Sequence, residues 1–315
     1  MTSRKDRIEG VLLATAAGDA LGAPYEFQPP RGPELDVAMV GGGVWEPGEW
    51  TDDTAMAIAI AEVAATGVDL REETAQDAIA TRWLAWSRNT KDIGVQTSSV
   101  FSMATIAGTI TAARARAASR SLHDNGNRTA GNGALMRTAP VALLYLDDED
   151  AMVEAARAIS ELTHFDPDAG DACVLWCSAI RHAVLTGQID VRIGLSHIDS
   201  GRRDVWIERL DDAEAAPPAA FPRNGWVVSA LQAAWSAIVS TQANTDHLRA
   251  ALDAAVRAGF DTDTVAAIAG GLLGAAYGAS SVPAEWQVLL HGWPGINGED
   301  LVALGAAIAG VRAQS

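Results

Sequence analysis

Cysteine is nearly absent from this chain of 315 residues, where only Cys173 and Cys177 occur. Two thiols four residues apart in an apolar segment cannot frame a disulfide scaffold and lack a neighbouring His/Cys set for zinc, so they read as buried, reduced side chains. Long apolar runs are also missing. The longest weakly polar stretch, residues 264–278, is Gly/Ala-rich and falls short of the roughly 18–20 strongly apolar residues a bilayer requires. The charged first residues, 1–9, lack the pattern of a secretory leader, so a cytoplasmic location is expected. Basic residues are scarce, 23 against 40 acidic for a net charge of −17, which disfavours nucleic acid as a partner and suits divalent cations. Alternating Val/Ile/Thr runs are almost lacking, which removes most β architectures.

What is present is a globular composition, 49% hydrophobic with 20% charged, whose apolar residues recur at helical spacing. The expectation is an all-α fold with helices over residues 4–21, 53–66, 72–87, 98–118, 133–145, 150–162, 168–186, 225–239, 246–258, 264–277 and 299–313. Their faces are rich in Ala and Gly, which lets axes approach closely, and no heptad persists; orthogonally packed helices are expected rather than a coiled coil. Residues 189–224, rich in Asp, Arg and Pro, read as an irregular peripheral insertion in a single domain spanning 1–315. A monomer is expected.

Several short segments have chemical potential. Thr51-Asp52-Asp53-Thr54 and Asp261-Thr262-Asp263-Thr264 share one form, a glycine- and aromatic-containing lead-in followed by acids at a helix start. Each alone fits a helix cap, since such side chains accept from free backbone N–H groups and complement the macrodipole. Together they offer four carboxylates and several hydroxyls, a hard donor set for Mg²⁺ or Mn²⁺. Gly18-Asp19-Ala20-Leu21-Gly22 ends the first helix and leads to Glu26, a surface acid or a site residue. Gly131-Asn132-Gly133 suits a turn or an anion-facing backbone, and His164 suits a cap or a ligand contact. Trp45 and Trp50 flank the first acidic run and are candidates to line a pocket for adenine or ribose.

The order of these segments is more specific than any one of them. Gly10-Val11-Leu12-Leu13 leading to Gly18-Asp19-Ala20-Leu21-Gly22, then Trp50-Thr51-Asp52-Asp53-Thr54, Asp92-Ile93-Gly94 with Thr97, Gly131-Asn132-Gly133-Ala134-Leu135-Met136-Arg137, Thr163-His164 and Asp261-Thr262-Asp263-Thr264-Val265-Ala266 resembles the ADP-ribosylglycohydrolase family, which includes the dinitrogenase-reductase-activating glycohydrolases. The resemblance spans residues 10–278. It implies a helical fold holding two divalent cations, Mg²⁺ or Mn²⁺, at the base of a cleft, with Thr51, Asp52, Asp53, Asp261, Asp263 and Thr264 as ligands. Glu26 matches an acid near the metals on a loop that opens and closes, and joins Asp52, Asp53 and Asp263 as the catalytic set. Asp92, Asn132, Gly133 and His164 match positions at the ADP-ribose. Phe260 departs from the small residue common before the first Asp, and residues 189–224 match nothing in the family.

The implied activity is metal-dependent hydrolysis of the bond linking ADP-ribose to a protein side chain or a small molecule. Two cations can bind vicinal ribose hydroxyls and acidify a water, and nearby carboxylates stabilise an oxocarbenium-like transition state. No Cys nucleophile and no Gly-x-Gly-x-x-Gly after a strand points to thiol or hydride chemistry. Two alternatives remain: a metal-dependent nucleotide pyrophosphohydrolase, which would release AMP, and a non-catalytic ADP-ribose-binding relative, for which four mutually repelling carboxylates have no use.

Overall fold

The segment GVLLATAAGDALG, residues 10–22, is apolar or small on every face apart from Asp19, and a helix of that kind is stable only in an interior. The computed structural model, which describes residues 2–312, places it there. Helix α1 (Arg4–Gly22) starts at Ser3, whose hydroxyl accepts from the Asp6 N–H at 3.1 Å, and every residue from Gly10 onward is buried. There follow α2 (Asp52–Ala64), α3 (Glu73–Ser87), α4 (Val95–Ala104), α5 (Ala112–Asp124), α6 (Ala139–Leu144) and α7 (Glu149–Glu161). The second half contributes α8 (Pro167–Thr186), α9 (Ser200–Ala215), α10 (Val227–Val239), α11 (His247–Arg257), α12 (Thr262–Tyr277), the single turn α13 (Ala284–Gln287) and α14 (Gly298–Arg312). A two-residue antiparallel ladder, β1 (His291–Gly292) with β2 (Ile296–Asn297), is the one named sheet among the described residues. None of the described helices is long and apolar enough to cross a membrane.

The central contact is α1 against α12, which run antiparallel. Gly18 faces the backbone of Ala266, and Gly22 faces the backbone of Thr262 and Asp263; a Cβ at either position would lie well inside van der Waals contact. The spacing of four puts both glycines on one face of α1. The close approach is sealed by the Thr262 hydroxyl, which donates to the Gly22 carbonyl at 2.9 Å. Around this pair lie α14 on α1, and α8, α10 and α11 on α12, while α2 joins α1 to α3 and α6.

Nine of the expected helices occur with ends within two residues of those expected, although Ala313 lies outside the described residues. Three expectations change. The helix expected over 98–118 is two helices, α4 and α5, separated by a reverse turn in which Ala107 and Gly108 adopt φ of +50° and +78°. Ile106 and Thr109 pair across that turn, and Thr111 then caps α5. The helix expected over 133–145 begins only at Ala139, after a 3₁₀ turn at Asn132–Ala134, because Pro140 is tolerated in a first turn and not in a helix interior. Residues 189–224 are not an irregular excursion, since they form a 3₁₀ segment at Val191–His197 and α9, which packs on α10 through buried Leu210 and Ala213. Trp206 is also buried, and its indole N–H donates to Asp171 of α8 at 3.0 Å. Arg202 and Arg209 of α9 reach Asp168 of α8 at 2.7 and 2.8 Å; burial alone would raise that carboxyl, but the two guanidiniums hold it below its ordinary range. Cys173 and Cys177 are buried, free thiols, with burial pushing Cys173 up to about 11.

Gly22→Ala should therefore lower stability by about 1–3 kcal/mol through overpacking at the helix crossing. Gly310→Ala, at a helical position with open space around it, should be neutral or stabilising by up to about 1 kcal/mol. Thermal unfolding of the two variants checks the contrast.

Candidate active site

The N-termini of α2 and α12 meet the C-terminal end of α1, and each element brings acids. Neither helix is capped by the residue that precedes it, although Asp263 Oδ1 accepts from the Thr264 N–H in the first turn of α12 at 2.9 Å. Thr51 and Asp261, the residues preceding α2 and α12, make no side-chain capping bond. The cap of α2 comes from another helix: Asp19 of α1 accepts from Thr51 N at 2.9 Å, from Thr54 N at 3.0 Å and from the Thr54 hydroxyl at 2.6 Å. Asp52 and Asp53 are thereby left to face the cleft and its floor. The Thr51 hydroxyl donates to Asp53 Oδ2 at 3.0 Å, while Asp53 Oδ1 is fully buried and has no partner among the described residues. An orphaned buried carboxylate oxygen is costly unless a cation or proton satisfies it.

Carboxylate oxygens of Asp19, Asp53 and Asp263 lie within 4.8 Å of one another, and so do those of Glu26, Asp261 and Asp263. Asp263 belongs to both triads. All of these oxygens are hard donors without a thiol or imidazole among them, a set that fits Mg²⁺, Mn²⁺ or Ca²⁺ and not a thiophilic ion. Asp261 is fixed from outside the triads: Asn132 Nδ2 donates to its Oδ2 at 2.8 Å, and its N–H donates to Asn224 Oδ1 at 3.1 Å. Asn224 also donates to the Gly259 carbonyl and accepts from Asn132 at its own carbonyl, tying three loops together. The loop of Glu26 is clasped to the Asp261 loop by reciprocal backbone bonds, Phe27 N to Phe260 O at 2.6 Å and Phe260 N to Gln28 O at 2.7 Å. Both phenylalanines adopt left-handed φ, +61° and +63°, a strained conformation for such side chains.

The charges crowd. Burial first, then neighbouring carboxylates, push Asp52 up to about 7 and Glu26 up to about 8, and hold Asp53 and Asp263 well above the ordinary carboxylate range. Asp19 rises to about 6 through burial, moderated by its bonds to Thr54 and Thr51, and burial raises Asp261 as well.

Above this floor opens a cleft of about 570 Å³, lined among others by Asp52, Asp92, Asn132, Gly133, His164 and Thr264. The sequence-predicted residues thus converge on one place, with distinct positions. Asp53, Asp261 and Asp263 sit in the triads, Asp52 lies on the cleft wall outside both, and Thr51 is buried behind Asp53. Asp19, in a motif already noted, has a larger part than expected, and Asn224 gave no local signal. Trp50 and Trp45 are not pocket walls: Trp50 is 1% exposed, with its indole N–H donating to the Trp293 carbonyl, and Trp45 packs under Lys91. The tryptophan beside the cleft is Trp226, half-exposed on an adjoining groove of about 870 Å³ that includes Arg128 and Arg223.

Residues 1–315 match the family described as ADP-ribosylglycohydrolase. The chain is 31% identical over 291 residues to the ADP-ribosylarginine hydrolase Tri1 of Pseudomonas putida (strain GB-1), covering 89% of this chain and 73% of the relative. It is 30% identical over 295 residues to the ADP-ribosyl-dinitrogen reductase glycohydrolase of Rhodospirillum rubrum, covering 89% of each. A solved structure titled ADP-ribosylglycohydrolase-related protein complex superposes with a TM-score of 0.76 at 28% identity over 99% of both chains.

The raised carboxyls set the sign of a pH dependence in chelator. Between the unfolded value near 3.8 and the raised folded values, the native state binds more protons than the unfolded state, so stability falls as pH rises. The cation-free protein should melt at higher temperature at pH 5 than at pH 8, and Asp263→Asn should flatten that difference and raise the melting temperature at pH 8. Equal melting of the parent at both pH values would mean the carboxylates do not repel.

Proposed function

This chain belongs to the ADP-ribosylglycohydrolase family, and from that membership we propose the chemistry of its site. It is a hydrolase of the glycosidic bond between ADP-ribose and an acceptor. The reading adds two divalent cations, Mg²⁺ or Mn²⁺, one toward Asp19, Asp53 and Asp263 and the other toward Glu26, Asp261 and Asp263. The observation that carries it is the pair of triads sharing Asp263 beside the unpartnered Asp53 Oδ1. Thr51 and Thr264 supply neighbouring hydroxyls. When bound, such cations supply positive charge that attracts vicinal ribose hydroxyls and acidifies a water beside the anomeric carbon.

The chain's own groups do the rest. Asp52, on the wall with its carboxyl toward Asp92 and Asp261, adds negative charge where the sugar becomes oxocarbenium-like. Glu26, half-buried on the loop over the floor, orients the water or the leaving group and gates the site. Asn132, Gly133 and His164 take the ADP-ribosyl group from one side and Asp92 from the other. The outer groove, with Arg128, Arg223 and exposed Trp226, suits the anionic diphosphate and the purine. The opposite mouth, with Glu26, Asp92 and the exposed face of Phe27, suits a cationic acceptor, which favours an arginine guanidinium over a neutral hydroxyl. The name of one relative, the ADP-ribosylarginine hydrolase of Pseudomonas putida, supports that choice.

The test is product analysis on an ADP-ribosylated arginine peptide with and without divalent cation. Intact ADP-ribose and unmodified arginine should appear with Mg²⁺ or Mn²⁺ and not in chelator, whereas AMP would identify a pyrophosphohydrolase. Asp52→Asn and Asp53→Asn should each lower kcat/KM at least about a hundredfold while remaining folded.

A further inference from the structure

Arg137 has no place in the chemistry above, yet it is a fully buried guanidinium with no ion pair to a carboxylate among the described residues, Asp52 acting on it only at longer range. Burial pulls it down to about 9, which still leaves it charged at neutral pH. It stacks on the face of Trp83 with its Cζ 3.9 Å from the ring centre, and its Nη2 donates to the Thr163 hydroxyl at 2.6 Å. Its Nη1 donates only to the Met56 sulfur at 3.6 Å, and a buried charge kept on a cation–π contact, a thioether and one neutral hydroxyl is expensive to maintain.

The same hydroxyl lies 2.7 Å from Nδ1 of His164. A guanidinium can only donate, so Thr163 Oγ1 accepts from Arg137. Its single proton then needs an acceptor, and the one within reach is Nδ1. An unprotonated Nδ1, with the ring proton on Nε2, accepts that proton, whereas a protonated Nδ1 would leave it buried without an acceptor. Burial, and after it the positive charge of Arg137, holds His164 well below its ordinary range and keeps it neutral. Nε2 has no partner among the described residues and faces the cleft between Gly131 and Gly133. A Cβ at either glycine would stand 3.2 Å from Nε2 and cover it. The segment is held in place by Gln96, whose Nε2 donates to the carbonyls of Thr163 and Thr129 at 2.8 and 2.9 Å.

We propose that Arg137 is a positioning residue that acts through Thr163 to fix His164 as a neutral imidazole protonated on Nε2, a single-purpose donor to an oxygen of the ADP-ribosyl group in the cleft. The inference rests on the ligand class proposed above, but the tautomer itself is a property of the free protein. The relay separates two functions: Arg137 supplies the charge out of reach of the substrate, and His164 offers a donor that cannot serve as an acid at neutral pH.

Histidine-selective ¹⁵N NMR of the free, folded protein tests it, with His164 assigned from the His164→Gln spectrum and ADP-ribose affinity measured by calorimetry. The parent should show a pyridine-type Nδ1 and a pyrrole-type Nε2 at His164. Thr163→Val, close in shape, should mix the tautomers and weaken ADP-ribose binding about tenfold, the size of one hydrogen bond to a charged or hydroxyl oxygen. Thr163→Ser should restore both. Arg137→Gln, where it folds, should also mix the tautomers; a pure Nε2–H tautomer there would remove Arg137 from the relay. A parent His164 that is cationic or protonated on Nδ1, or a Thr163→Val variant unchanged in tautomer and affinity, overturns the proposal. Absence of ADP-ribose binding by the parent, with the expected tautomer present, would count against the substrate reading alone.

Discussion

The antiparallel contact of α1 with α12 is the constraint on which the rest of the molecule depends. Small residues at every fourth position of α1 let two backbones touch, and that contact places the end of α1 against the start of α12. Asp19 is carried there by α1 and Asp263 by α12, while Asp19 in turn seats the start of α2 by accepting three hydrogen bonds. The carboxylates are thus brought together by packing that ignores their charge. Buried helices on all sides supply the free energy, and the repulsion concentrated at one point is offset by contacts distributed over the whole interior.

This division between a stabilising interior and a destabilised floor explains why the acidic runs look like caps in sequence while Thr51 and Asp261, at the cap positions, cap nothing in space. A cap must point at the N–H groups of its own helix, and Thr51 and Asp261 do not. The local pattern of Thr, Asp and a following apolar helix satisfies either use. Only the third residue, Asp19, decides between them, and its relation to Thr51 and Thr54 spans more than thirty positions of sequence.

Much of the fold was legible because long helices announce themselves by period, and the site because its motifs are acids and glycines at element ends. The misread segments have physical reasons. A turn with Ala107 and Gly108 in left-handed backbone interrupts an otherwise helical pattern, and Thr105, Ile106, Thr109 and Thr111 around it were the available sign. In residues 189–224 the spacing of Trp206, Leu210 and Ala213 is helical, but the surrounding Asp and Arg masked it; of those charges Arg202 and Arg209 are ion-paired to α8 and Asp211 to Arg192. Asn224 had no signal, and Thr163 and Arg137 stood in matched segments without a role to read from them, since a buried polar residue acts through partners that only folding supplies.

We propose above that Asp263 is shared between two cation positions at the α1–α12 contact. Anomalous scattering from crystals grown with Mn²⁺ measures this directly. The account predicts two peaks about 3.5–4 Å apart on either side of the Asp263 carboxylate, one toward Asp19 and Asp53 and the other toward Glu26 and Asp261. A single peak, or peaks away from Asp263, would contradict it.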